Sequence, residues 1–226
     1  MPTRLLALET SGLYGSLALA EDGQVVADRT LSPPQRTAQS LAPAIEQLVA
    51  EAGWSIRDLS AVAVTVGPGS FTGLRVGVVT AKTLAYALGA QVVGVNTLEA
   101  IAARISNQPR LVTVLDAQRQ ELFAASWQWS ENGEWLSDEP TKLAGISEWL
   151  SQLKANDMVS GPGLTKIVNR LPATLTVADR ELWEPRAREV AAIGWREYKA
   201  GRASSHWSLV PQYFRLSAAE EKRAEG

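Results

Sequence analysis

A chain of 226 residues, 46% hydrophobic and 20% charged, has an ordinary globular composition and room for one large domain or two compact lobes. Its net charge of −2 supplies no global attraction to nucleic acid. It has no cysteine and a single histidine, His206. Disulfides, thiolate chemistry and metal sites built on cysteines or a histidine pair are therefore excluded.

The N-terminal residues lead straight into an apolar strand rather than a signal peptide, and no apolar run reaches membrane-spanning length. A cytoplasmic protein with no membrane contact is expected. Residues 4–10 read as a first strand with Glu9 near its C-terminal end, 16–20 as a second and 24–31 as a third. Glu21-Asp22-Gly23 supplies a turn between the last two. After the stiff Ser32-Pro33-Pro34 connector, Leu41, Ile45, Leu48, Val49 and Ala52 recur at helical spacing. They predict an amphipathic helix to about Glu51, stopped by Gly53 and interrupted by Pro43. Ser55-Ile56-Arg57-Asp58 resembles a capping box within a loop.

Residues 61–88 organise the chain. Ala61 to Val66 form an apolar, β-branched run expected of a buried parallel strand. Gly67-Pro68-Gly69-Ser70-Phe71-Thr72-Gly73 breaks it, and residues 72–88 form a helix capped by Ser70 or Thr72 and ended by Gly89. The loop has two readings. It is an anion site at a helix start, or a tight structural turn, since it matches neither common phosphate-loop pattern. In the helix, Gly73, Gly77, Ala81 and Ala85 form a stripe of small side chains flanked by Leu74, Val78, Leu84 and Leu88. The stripe implies close packing against another element, within the domain or across a subunit interface.

Residues 91–95 predict another strand, and Thr97 starts a short helix through Ile105. Gln108-Pro109 marks a boundary between lobes at 1–107 and 108–226, with the last segment free to pack back on the first lobe. Residues 111–116 form a strand ending in Asp116. Residues 121–129 return, and a third strand starts at Trp135. The opening pattern of strand, acid, turn, strand, turn, strand thus recurs. Residues 146–153 and 189–200 read as helices, with a second glycine turn at Gly161-Pro162-Gly163 between them. Seven of the eight tryptophans lie from Trp127 onward. They suit core packing, or a base-stacking surface if several are exposed beside basic residues.

Val66-Gly67-Pro68-Gly69-Ser70-Phe71-Thr72-Gly73-Leu74-Arg75-Val76-Gly77 resembles the signature of the TsaB (YeaZ) family, relatives of the Gcp proteins. Leu8-Glu9-Thr10-Ser11, Gly94-Val95-Asn96-Thr97-Leu98, Asp116-Ala117 with Glu121, and Pro211-Gln212-Tyr213-Phe214-Arg215 match in the same order across nearly the whole chain. The resemblance departs at the second hairpin, where Gln118 follows Asp116-Ala117 in place of the family's arginine. It implies an α/β fold of the actin and sugar-kinase (ASKHA) type, with duplicated βββαβαβα lobes.

The resemblance also implies a role in making N6-threonylcarbamoyladenosine at position 37 of tRNAs that read ANN codons. The implied role is that of a non-catalytic partner of TsaD, with the ATPase TsaE in the same assembly, TsaC supplying threonylcarbamoyl-adenylate, and tRNA met through the complex. Pairing, with TsaD or as a homodimer, is implied through the two first-lobe helices. That carries over to Leu41, Ile45, Leu48, Gly73, Leu74, Gly77, Val78, Ala81 and Ala85. No cofactor, metal or catalytic residue is implied, because residues 36–41 lack the histidine pair of the catalytic relatives.

Two other readings compete. One is an actin-like nucleotide hydrolase or kinase using Glu9, Thr10, Gly67, Gly69, Ser70 and Asp116. The other is direct tRNA binding by Arg180, Arg186, Arg188, Arg196, Lys199 and Arg202. Serine-hydrolase chemistry through His206 lacks a nucleophile elbow.

Overall fold

The computed structural model describes residues 2–12, 14–31 and 37–215, the side chains of 37 and 38 excepted. The predicted connector at 32–34 and the charged tail lie outside the described residues.

The first sheet contains β1 (Arg4–Glu9), β2 (Ser16–Glu21), β3 (Gln24–Thr30), β4 (Leu59–Gly67) and β5 (Gln91–Asn96) in the order β3-β2-β1-β4-β5. The hairpin pairs are antiparallel, and β1–β4 and β4–β5 are parallel. The second sheet contains β6 (Arg110–Asp116), β7 (Glu121–Trp129), β8 (Trp135–Gly145), β9 (Met158–Ser160) and β10 (Thr176–Val177) in the order β10-β9-β6-β7-β8. Its pairings repeat those of the first sheet, with β6 in the place of β1. The duplicated meander read from the sequence is thus a duplicated mixed sheet, the α/β architecture expected.

Helices α1 (Thr37–Glu51), α2 (Phe71–Leu88), α3 (Thr97–Ala102), α4 (Ile146–Gln152) and α5 (Ala187–Lys199) complete the fold. β1 and β4 are apolar on both faces because both faces are covered. Leu6, Leu8, Val62 and Val64 pack with α1 and α2, while Leu5, Ala7, Ala61 and Ala63 pack with Val190, Ala191 and Ile193 of α5. A Cβ on Gly194 would lie 2.5 Å from Ala63 Cβ, so α5 sits directly on the first sheet although it follows the second in sequence. α3 does the reverse. Its Leu98 and Ile101 enter the second-lobe core with Leu111, Val114, Trp127 and Trp149.

Predicted boundaries hold where local chemistry sets them. Ser70 caps α2 and Gly89 ends it in a left-handed conformation. Ser55 and Asp58 form a reciprocal capping box, but around a single 3-10 turn, Ile56–Asp58. Asn96 caps α3 by accepting from Leu98 N at 2.8 Å. The short 3-10 turns at Pro162–Lys166 and Val168–Arg170 stand in the second lobe where the first has α2. No described helix is long and apolar enough to cross a membrane.

Candidate functional site

The ends of β1 and β4 meet at the glycine loop. Ser70 Oγ accepts from Gly73 N at 3.2 Å. Ser70 O accepts from Leu74 N at 2.8 Å, and Ser70 N donates to Ser11 O at 2.8 Å. Two of the amides at the start of α2 that would receive a phosphate, those of Ser70 and Gly73, are therefore engaged by the chain itself, and the Leu74 bond is the first of the helix. A Cβ on Gly69 would lie 2.7 Å from Ser11 O, and one on Gly73 2.0 Å from Thr10 O. Gly67 combines a φ of 135° with a position 2.6 Å from Gln212 O, so no side chain fits there. Backbone contact explains these glycines.

Glu9 is 1% exposed. Its Oε1 accepts from Ser11 N at 2.7 Å and from Ser11 Oγ at 2.5 Å. Burial pushes its pKa up to about 7. The Ser11 bonds oppose that rise and Glu184 adds to it. Burial likewise raises Glu184, against the pull of Arg186 and Arg104. Thr10 Oγ1 is buried without a hydrogen-bond partner. It would lie 2.2 Å from a Cβ on Gly77, so it occupies the space that glycine leaves.

Asp116 ends β6 as Glu9 ends β1. It accepts from Gln118 N at 2.9 Å and pairs with Lys166 Nζ at 2.5 Å. The second glycine turn, just after β9, packs against the same strand, where a Cβ on Gly161 would meet Val114 O at 2.1 Å. The structure thus gathers Glu9, Thr10, Gly67, Gly69 and Ser70 around one corner and places Asp116 at the equivalent corner of the other sheet. At each, the polar groups named above are taken up internally, with Thr10 Oγ1 the exception.

The residues expected at the interface face inward in this chain. Leu41, Ile45, Leu48, Leu74, Gly77, Val78, Ala81 and Ala85 are all buried within this chain, and Gly73 is half-buried against Thr10. The small-residue stripe does permit close approach, but the neighbour is the chain's own β1 and β4. A Cβ on Gly77 would also lie 3.2 Å from Val64 Cγ2. The outward face of α2 carries Thr72, Arg75, Val79, Thr83 and Tyr86 instead, and that of α1 carries Ala42, Glu46 and Ala50. Between the two helices runs a groove of about 430 Å³, lined by Ala42, Ile45, Val49, Ala50, Trp54, Ile56, Thr80 and Leu84, with Glu46 its one charge.

The basic residues read as a patch are all engaged within the chain. Arg188 pairs with Asp28 at 2.6 Å, Arg196 with Glu99 at 2.6 Å, and Arg202 with Glu197 at 2.6 Å. Arg186 donates to Thr30 Oγ1 at 3.0 Å. Arg180 lies over Trp183 and Lys199 over Trp195. Each of these groups has a partner within the chain.

The last segment does pack back on the first lobe, but sequence reading gave no path for residues 204–215. They run along α2 and β5 and cross to the second lobe. Ser204 bridges Val92, Lys82 Nζ donates to Leu209 O at 3.1 Å, Gln212 N donates to Val66 O at 2.8 Å, and Arg215 bonds Ala117 O and Glu121. The one signal was the Pro211-Gln212-Tyr213-Phe214-Arg215 match, which carries no periodicity.

Residues 30–142 match the family described as TsaD, tRNA N6-adenosine threonylcarbamoyltransferase. The chain is 30% identical to the tRNA threonylcarbamoyladenosine biosynthesis protein TsaB of Escherichia coli, over 97% of both chains. It is also 30% identical to that of Bacillus subtilis, over 98% of both. The solved structure of YeaZ from Pseudomonas aeruginosa superposes with a TM-score of 0.81 at 25% identity, covering 93% of this chain and 99% of that one. Full-length identity, the matching fold and the signature loop agree, and the chain belongs to the TsaB (YeaZ) family of tRNA threonylcarbamoyladenosine biosynthesis proteins.

Proposed function

We propose that this chain serves tRNA threonylcarbamoyladenosine synthesis as a non-catalytic scaffold that pairs with and activates a TsaD-type protein through the outward face of α1 and the side of α2 that borders the groove, where Thr80 and Leu84 lie. The observation that carries this is the apolar groove between those helices. Ala42 and Ala50, two turns apart on the outside of α1, let a partner helix approach closely, and Glu46 is the one charge to be matched. The match to the threonylcarbamoyltransferase family spans α1, α2 and the strand between them. A partner with an equivalent helix pair would meet this one about a pseudo-twofold axis, and a second copy would fill the same seam when the chain is alone. In this reading a TsaE-type ATPase joins the paired complex, and tRNA is met through it.

The non-catalytic reading draws support from the closed corners. Glu9 is held by Ser11, Asp116 by Lys166, and the amides of Ser70 and Gly73 are spent. The decisive test is reconstitution of tRNA modification from purified components with and without this chain. Modification is expected to require the chain and to tolerate Glu9→Ala and Asp116→Ala together. ATP turnover by the isolated chain that those substitutions abolish would replace the scaffold with an actin-like hydrolase.

A further inference from the structure

The face of α2 turned away from α1 carries a second apolar surface. Phe71, Val79 and Tyr86 of α2 and Trp207, Val210 and Tyr213 of the 204–215 segment are each between 44% and 75% exposed. They form a built surface rather than scattered side chains. Phe71 and Tyr213 rings lie 5.1 Å apart, Tyr86 and Trp207 6.5 Å apart, and His206 packs at 4.7 Å from Trp207. The segment beneath is anchored by buried Leu209 and by the Lys82 and Gln212 bonds, so the aromatic groups are held in place before anything binds.

Charge on this face has one sign. No Asp or Glu occurs between Asp58 and Glu99, nor between Glu197 and Glu220. Lys82 is spent on Leu209 O, and Arg215 on the second lobe. Arg75 stands in the middle. Its guanidinium lies 3.9 Å above the Phe71 ring, its Nε donates to the Tyr213 hydroxyl at 3.0 Å, and among the described residues it makes no ion pair with a carboxylate. An arginine held flat by two rings is preorganised to receive a carboxylate.

From this we infer that the Phe71–Arg75–Tyr86–Trp207–Tyr213 face docks a segment of a different protein, one that presents a carboxylate to Arg75 and an apolar side chain between Tyr86 and Trp207. A second copy does not suit the face, because a twofold contact would set its cations against each other with no acid among the described residues of α2 and the 204–215 segment. RNA does not suit it either, because a single free arginine is too few for phosphate-driven binding. The outer ridge of α2 separates this face from the α1–α2 groove, so it is open to a further component while the groove is filled.

The test places a photo-reactive benzoylphenylalanine at Val210 of the full chain in its own cells and sequences the crosslinked species. The expected adduct is one peptide of another protein with Asp or Glu within a helical turn of an aliphatic or aromatic residue. Arg75→Glu should cut adduct yield about ten-fold, the scale of one close charge pair, and Arg75→Gln by less. Changing the partner's acid to Lys should restore yield with Arg75→Glu. Thermal melting shows that the variants fold, and mass in solution shows that pairing through α1 and α2 is intact. Adducts to a second copy, to RNA or to nothing overturn the inference, as does indifference to Arg75→Glu.

Discussion

Around β1 and β4 the first lobe is closed by aliphatic side chains and bare backbone. Around β6 the second is closed by tryptophans and a buried charge. The strand orders and pairings are the same, yet no aromatic residue is buried in the first-lobe clusters, whereas Trp127, Trp149 and Trp183 are buried in the second. Where α2 lies against β4, Gly73 and Gly77 bring the helix onto the sheet. The second lobe has only 3-10 turns at that place, and its core is filled from β7, α4 and the loop before α5 by large side chains. Trp127 Nε1 donates to Thr113 Oγ1 and Trp183 Nε1 to Ala178 O, both at 2.8 Å, so two of these indoles are also satisfied as donors. A shared topology therefore fixes where the gap lies and leaves the means of filling it open.

Gly77→Leu tests the first half of that contrast. A Cβ at position 77 already meets Thr10 Oγ1 at 2.2 Å, and three more heavy atoms must enter a packed sheet. The expected loss is more than about 4 kcal/mol, seen as a collapsed urea midpoint by far-UV circular dichroism. Retention of the native midpoint with altered assembly would mean that the stripe faces a partner after all.

The second lobe should break through charge. Arg110 bridges Asp138 at 3.0 Å and Asp157, which is 3% exposed. Arg110→Met leaves the Asp157 carboxylate buried, with the Lys154 N–H still donating to it at 2.8 Å. The expected destabilisation is about 3–5 kcal/mol. Adding Asp157→Leu should recover most of it, because the pair is then replaced rather than broken. A double variant no better than the single would show that the arginine acts through packing alone.

What was legible in the residues follows the same division. The caps of α2 and the stop at Gly89 could be read because a serine oxygen and a left-handed glycine act on neighbouring amides. The direction of the small-residue stripe could not. Periodicity says that something comes close, and only the fold shows that Thr10 and Val64 are what comes close. Residues 204–215 were opaque because their path is set by single bonds to Val66, Lys82 and Val92, with no repeat to betray it. Glu9 looked like any acid at a strand end. Its enclosure depends on Ser11 and Glu184, residues at opposite ends of the chain.

That enclosure makes the carboxyls of the two lobes respond oppositely. Asp138 is held below its usual range by the Arg110 bond, whereas Glu9 rises from 4.5 to about 7 through burial. Between those two pH values the unfolded chain loses the Glu9 proton and the folded chain keeps it, so stability falls as pH rises. Above about 7 the penalty is constant, and below 4.5 it vanishes. Glu9→Gln removes it while keeping an acceptor for Ser11. The variant should be more stable at pH 8 by about 3 kcal/mol, with no gain at pH 4. Parallel urea midpoints at pH 4, 6 and 8 would show that Glu9 is hydrated in solution.

The smallest expected effect on stability carries the largest on assembly. Ala50 lies on the exposed face of α1 and lines the groove. Arginine is a good helix former there, so Ala50→Arg should change unfolding free energy by no more than about 0.5 kcal/mol. Its side chain would cross the groove and hold a partner helix away. Light scattering should then report a monomer where the parent pairs, and copurification with a TsaD-type protein should fail. Gly77→Leu is the mirror case, since it should lose pairing only together with the fold. If Ala50→Arg pairs normally while remaining folded, the partner does not enter the groove, and the outward face of α1 and the groove side of α2 lose their assignment even though the inward stripe keeps its own.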